Sequence, residues 1–177
     1  VIQVGNGPTE IAFDGTSIWV VYLEDKTVSK INPKTNEISK VASLNDFTNA
    51  MVFDGNNMWV SNGSENGTVV KLISNATSGE ISGPDSNGPD TGEPAIDLNA
   101  QTECSETLVS ECVVAIINAG IYVRDIASDG QNIWILDRDN AILTKMNPDT
   151  NEVLLTIELE GSPSDIIYDG VNIWVGG

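Results

Sequence analysis

At 177 residues the chain is long enough for one domain with a core of its own. Its 26 acidic against 8 basic residues give a formal net charge of -18, and such a surface repels nucleic-acid phosphates and anionic lipid headgroups. There is no histidine, which removes any Ser-His-Asp or Cys-His set, and no apolar run nears the roughly 18 residues of a membrane span.

In chain order, Val1–Val4 with Gly5-Asn-Gly-Pro8 reads as the end of a strand and its exit loop, so the chain reads as a mature or excised piece. The Gly5-Asn-Gly7 stretch precedes a strand rather than a helix and so fails the dinucleotide-binding context. Ile11-Ala-Phe13 and Ile18-Trp-Val20 then bracket Asp14-Gly15, a strong hairpin signal because the turn needs positive φ. A third strand, Thr27–Pro33, runs into the turn Asn32–Glu37, and a fourth follows at Ile38–Ala42.

The same order returns. Met51-Val-Phe-Asp-Gly-Asn-Asn-Met-Trp-Val60 opens a second copy, continued by Thr68–Ser74. Ile126–Ile135 opens a third, continued by Ile142–Pro148, Asn147–Glu152 and Val153–Ile157, and Ile166–Val175 opens a fourth. From Asp14 to Asp54 and from Asp129 to Asp169 is 40 residues, the period of a four-stranded propeller blade. The chain is therefore expected to be all-β, a β-propeller of four-stranded antiparallel blades. Residues 1–177 form one domain with blade repeats at 11–42, 51–120, 126–157 and 166–177, the last joined by 1–4. Trp19, Trp59, Trp134 and Trp174 share one position and are expected to fill the gaps between blades. Lys30, Lys71 and Lys145 also align, and read as stems over apolar surface with heads turned to an acidic neighbour. Closure is open to three readings: a small four-bladed ring, two chains sharing one ring, or a piece of a longer protein.

From Asp54 to Asp129 is 75 residues, an excess of 35 that places an insertion at about 80–112 before the strand Val113–Ile117. Its Gly-, Pro- and Asp-rich start cannot nucleate a core, and a short helical turn is expected around Ser105–Val109. Cys104 and Cys112 lie in it. A local pair without histidine predicts a disulfide-closed loop and an oxidising compartment rather than zinc. Sequons at Asn62, Asn66 and Asn75 fit the same extracellular or cell-surface setting.

Lys26-Thr-Val-Ser-Lys-Ile-Asn-Pro-Lys-Thr-Asn-Glu-Ile38, a Gly-x-Pro loop and the recurring Asp-Gly-x-x-Ile-Trp-Val resemble the repeats of the streptogramin lyase (virginiamycin B lyase) superfamily. They are similar also to the YVTN-type repeats of bacterial and archaeal surface propellers. The resemblance covers nearly all of the chain except the insertion. It implies that the first strand of each blade is innermost, and that the loops leading into it, with those joining strands two and three, form the ligand face. Streptogramin lyases use a histidine base and a magnesium ion, and with no histidine here that chemistry is carried onto no residue.

Mapped onto this chain, the ligand-face candidates are Glu10, Asp46, Arg124, Asp125, Asp137, Asp139 and Asp165, with Glu24, Asp25 and Arg138 in the same loops. Converging oxygen ligands of this kind would suit calcium, and no other cofactor is expected. Asp137 and Asp139 are the tight carboxylate pair, expected as solvated turn residues. The expected function is a non-enzymatic extracellular recognition or scaffold module with a protein or glycan partner and a homodimer as one way to complete the ring. The alternative is a metal-dependent lyase or lactonase-like hydrolase working in the channel.

Overall fold

The computed structural model describes residues 1–44, 47–63, 67–74 and 113–177. Strands β1 (Pro8–Phe13), β2 (Ile18–Tyr22), β3 (Thr27–Ile31) and β4 (Ile38–Ser43) pair antiparallel in chain order as a first blade. β5 (Thr48–Phe53), β6 (Asn57–Asn62), β7 (Thr68–Ile73) and β8 (Val113–Asn118) repeat it. So do β9 (Val123–Ser128), β10 (Ile133–Asp137), β11 (Ile142–Met146) and β12 (Val153–Glu158). Among the described residues the fourth blade has two strands, β13 (Asp165–Tyr168) and β14 (Ile173–Gly176), and no helix is present. The chain is all-β, built from four-stranded antiparallel propeller blades.

The Asp-Gly signal makes a four-residue loop rather than a two-residue turn. Phe13 pairs with Ile18, and the Asp14 amide donates to the Ser17 carbonyl at 3.2 Å. Gly15, Gly55, Gly130 and Gly170 take φ of 92°, 100°, 84° and 98°, the left-handed region that only glycine enters without a Cβ penalty. Strand alternation then sorts side chains onto two faces of each blade, both of which must be covered.

One kind of junction recurs between blades. Trp19, Val21 and Val28 of the first blade pack with Met51, Met58, Val60 and Leu72 of the second. Trp59 and Val69 of the second pack with Ile126, Ile133, Ile135 and Met146 of the third. Trp134, Leu136 and Leu143 of the third meet Ile166, Ile173 and Val175 of the fourth. Each blade thus offers a tryptophan face forward and receives one on an aliphatic face behind. At the two ends this pairing is open among the described residues. Ile11 and Phe13 of the first blade are 65% and 57% exposed, and Trp174 of the fourth is 58% exposed.

Two sequence expectations fall differently. Val1–Val4 joins no strand, and Val4 instead packs against Val20, Tyr22 and Ile31 on the outward face of the first blade. The Asn62 sequon stands inside β6, buried, with Nδ2 donating to Thr68 Oγ1 at 3.0 Å, so its amide is not presented for glycosylation. The Cys104–Cys112 pairing, the expected helical turn and the Asn66 and Asn75 sequons lie outside the described residues.

Candidate functional site

Among the described residues, Asp14, Asp54, Asp125, Asp129, Asp137 and Asp169 are engaged by backbone N–H groups of the fold. In the first loop Asp14 Oδ1 accepts the amides of Thr16 and Ser17 at 2.8 and 2.7 Å, while Oδ2 accepts the Trp19 indole N–H at 2.7 Å. The same hook joins Asp54 to Trp59 at 2.6 Å, Asp129 to Trp134 at 2.8 Å and Asp169 to Trp174 at 2.7 Å. One carboxylate therefore shapes the loop and fixes the ring that fills the junction, a charge-assisted use of both oxygens. Burial alone would raise the Asp14 carboxyl, but the indole and the loop donors outweigh it and hold the group below its usual value. Asp129 shows the same balance. Asp169, in the exposed loop, is lowered to about 2 by the Asn172 amide, the Trp174 indole and the Val171 amide.

The aligned lysines lie over these rings. Lys30, Lys71 and Lys145 place Nζ 4.7, 5.3 and 5.1 Å from the centroids of Trp19, Trp59 and Trp134, within cation–π range. Lys30 also stands 3.5 Å from Asp14, the acidic neighbour its position predicts. Two of the heads reach into the next blade. Lys30 Nζ donates to the Ser74 carbonyl at 2.5 Å, and Lys71 Nζ to the Pro148 carbonyl at 2.6 Å. The sequence shows the alignment; the carbonyl partners come from a blade 40 or more residues away and carry no local signal.

The predicted ligand-face residues scatter over three blades' worth of inner strands and loops. Glu10 lies on β1, half-buried, with Oε1 accepting the Ile11 amide at 3.3 Å. Asp46 lies outside the described residues. Asp137 and Asp139 do not form a pair. Asp137 is 2% exposed, not solvated as expected, and accepts N–H groups from Ile121, Tyr122, Asp139 and Asn140, the last through both its amide and its side chain. Gly120 is needed there, since at its φ of 143° a Cβ would collide with the Asp137 carboxylate. Asp139 is exposed.

Arg124, Asp125 and Asp165 do come together, where the inner strands β9 and β13 adjoin. Asp125 Oδ1 accepts the Ile126 amide at 2.8 Å, and Oδ2 accepts the Ile166 amide across the junction at 2.9 Å. Burial pushes the Asp125 carboxyl up, those two amides pull against it, and the Asp165 charge adds to the rise while Arg124 opposes it. The two carboxylates edge an open hollow of about 510 Å³ that Ile167 and Trp174 also line. Ser164 Oγ hydrogen-bonds Asp165 Oδ2. Among the described residues no three acidic or sulfur ligands gather closely enough to hold a metal ion. Two carboxylates of unequal environment beside an aromatic wall could position a small polar ligand or transfer a proton.

No family model matches the sequence, and no curated protein matches it. Among solved structures the chain is similar to hydrazine synthase of Kuenenia stuttgartiensis, with a TM-score of 0.64 and 12% identity over 94% of this chain and 40% of that one. A protein of unknown function from Bacteroides caccae aligns with a TM-score of 0.53 and 13% identity, over 98% of this chain and 54% of that one. A candidate 6-phosphogluconolactonase from Bacteroides uniformis gives 0.56 and 13%, over 99% and 45%. The chain spans about half the length of these structures, and the likeness is one of fold: successive propeller blades.

Proposed function

We propose that the chain is a non-enzymatic propeller module of the streptogramin lyase and YVTN-type repeat kind, serving recognition or scaffolding for a protein or glycan partner outside the cytoplasm. The observation that supports this reading is the engagement of the buried carboxylates. Asp14 and Asp137 turn their lone pairs to N–H groups of the fold, and a carboxylate so held has little capacity left to activate a nucleophile. Acidic side chains on this chain act first as clasps for loops and blades.

A second reading, a metal-dependent lyase or lactonase-like hydrolase, has one observation in its favour: the hollow edged by Asp125 and Asp165. Hydrolysis of simple δ-lactones and nitrophenyl esters, followed with calcium or magnesium added and then with EDTA, separates the two. The module reading expects rates equal to the buffer background in every condition. Turnover that EDTA abolishes and Asp165→Asn removes would establish the enzyme instead.

A further inference from the structure

We propose that the cleft between the second and third blades, on the face formed by the Asp-Gly loops, is a binding site for a neutral saccharide. The cleft is open and about 360 Å³ in volume, within the size range of small-molecule sites. The loop between β5 and β6 gives it Asp54, Asn56 and Asn57, the loop between β9 and β10 gives Gln131, and the turn between β11 and β12 gives Pro148 and Asp149. Such loops lie at the opposite end of the blades from the predicted ligand face. Each runs between two paired strands of a four-stranded blade, so its course is set inside the second and third blades themselves.

The acceptors that shape these loops are spent, and the side chains that line the cleft are not. Asp54 Oδ1 accepts the Asn56 and Asn57 amides at 2.7 and 2.6 Å, and Oδ2 takes the Trp59 indole. Asn147 Oδ1 accepts the Asp149 amide at 2.8 Å. These bonds fix the backbone from which the lining side chains project, a preorganised arrangement. Asn56, Asn57, Gln131 and Asp149 enter the loop bonds through backbone groups, and their side chains have no hydrogen-bond partner among the described residues. Each side-chain amide offers both a donor and an acceptor, which matches hydroxyls that donate and accept at adjacent positions of a sugar ring.

Charge decides the class of ligand. Asp54 and Asp149 disfavour an anion. Lys71 disfavours a cation: it is 8% exposed, lies over the Trp59 ring and donates to the Pro148 carbonyl, which places an ammonium behind the Pro148 wall of the cleft. A divalent ion lacks ligands, since among the described residues no three acidic or sulfur groups gather closely enough and both Asp54 oxygens are taken. A neutral ligand dense in hydroxyls satisfies all three conditions. Trp59 is sealed from solvent, so binding rests on hydrogen bonds without ring stacking, and dissociation constants in the millimolar range are expected. This inference rests on the module reading and narrows its partner to a glycan.

The probes are the methyl glycosides of glucose, galactose, mannose and N-acetylglucosamine, titrated to tens of millimolar into the whole chain and followed by amide NMR. At least one is expected to give saturable shifts at Asn56, Asn57, Gln131 and Asp149, with the side-chain amide signals of the first three included. Glycerol at the same concentration should give none. Asn57→Ala and Gln131→Ala are each expected to weaken that binding roughly fivefold, the effect of one hydrogen bond lost. Both remove side chains that bond nothing in the fold, and each variant must keep the parent thermal midpoint. Failure of every glycoside to move the cleft signals overturns the proposal. So do shifts confined to the hollow edged by Asp125 and Asp165, and shifts that both variants leave unchanged. Shifts given by calcium chloride and not by the glycosides make the cleft a cation site and overturn it equally. Loss of the cleft would leave the module reading with a protein partner, whereas metal-dependent turnover in the lactone test would remove the module reading itself.

Discussion

At the scale of single residues, the carboxylate–indole hook decides both stability and acid response. Trp59→Phe keeps an aromatic ring in the junction but leaves Asp54 Oδ2 without the donor now 2.6 Å away. A loss of about 1 kcal/mol is expected, the cost of taking one charge-assisted donor from a half-buried carboxylate, and urea denaturation measures it. Trp174→Phe, at a ring 58% exposed, should cost under about 0.5 kcal/mol in the same assay. The hooks also set the acid limit. A carboxyl lowered by folding contributes stability that is complete above its unfolded value near 3.9 and is lost as pH falls through the folded value, about 2 for Asp169. Asp14 and Asp129 are lowered too, and Asp125, which is raised, works in the opposite sense. Calorimetric midpoints should therefore fall steeply between about pH 4 and pH 2. Midpoints that stay level across that window would remove the hooks from the account.

At the scale of elements, the first two junctions are each sewn by a lysine from one blade to a carbonyl of the next. Lys71→Met replaces a side chain 8% exposed and strands the Pro148 carbonyl, so a loss of about 1.5–3 kcal/mol is expected from chemical denaturation. Lys145→Met, with no such carbonyl among the described residues, should cost under about 0.5 kcal/mol. If the two variants lose stability equally, the ring contact and not the carbonyl carries the lysine's effect. The period of 40 residues and the Asp14-Gly15 turn between Ile11–Phe13 and Ile18–Val20 made blades and strand order legible in the sequence, because both are local patterns. The reach of Lys30 to Ser74, and of Asp125 to the Ile166 amide, was not legible, because those partners are fixed only when blades stack. The same limit misplaced Asp137. Its neighbours in sequence look like an open turn, and only the approach of residues 119–122 across Gly120 buries it.

At the scale of the molecule, stability is a chain of nearest-neighbour terms, since each blade packs on the ones beside it. Among the described residues the second and third blades each pack between two other blades, while the first and fourth each pack against one. Native-state hydrogen exchange should then grade along the chain, slowest in β6, β7 and β10 and fastest in β13 and β14. Uniform protection across all four blades would mean that the junctions do not open separately. The gathering of Arg124, Asp125 and Asp165 belongs to this scale as well. The repeat alignment puts both aspartates at one register, but their mutual influence needs β9 and β13 to lie side by side.

The tryptophans also give the chain an optical gradient. Trp19 and Trp59 are sealed from solvent, Trp134 is partly covered, and Trp174 stands largely in water, yet every indole N–H is bound to a carboxylate. Emission at the blue edge therefore comes from the interior junctions, and emission at the red edge from the fourth blade. A contact made at that end changes the red component and its access to collisional quenchers while the blue component stays fixed. The protein carries its own reporter of what comes to lie against it, without any label.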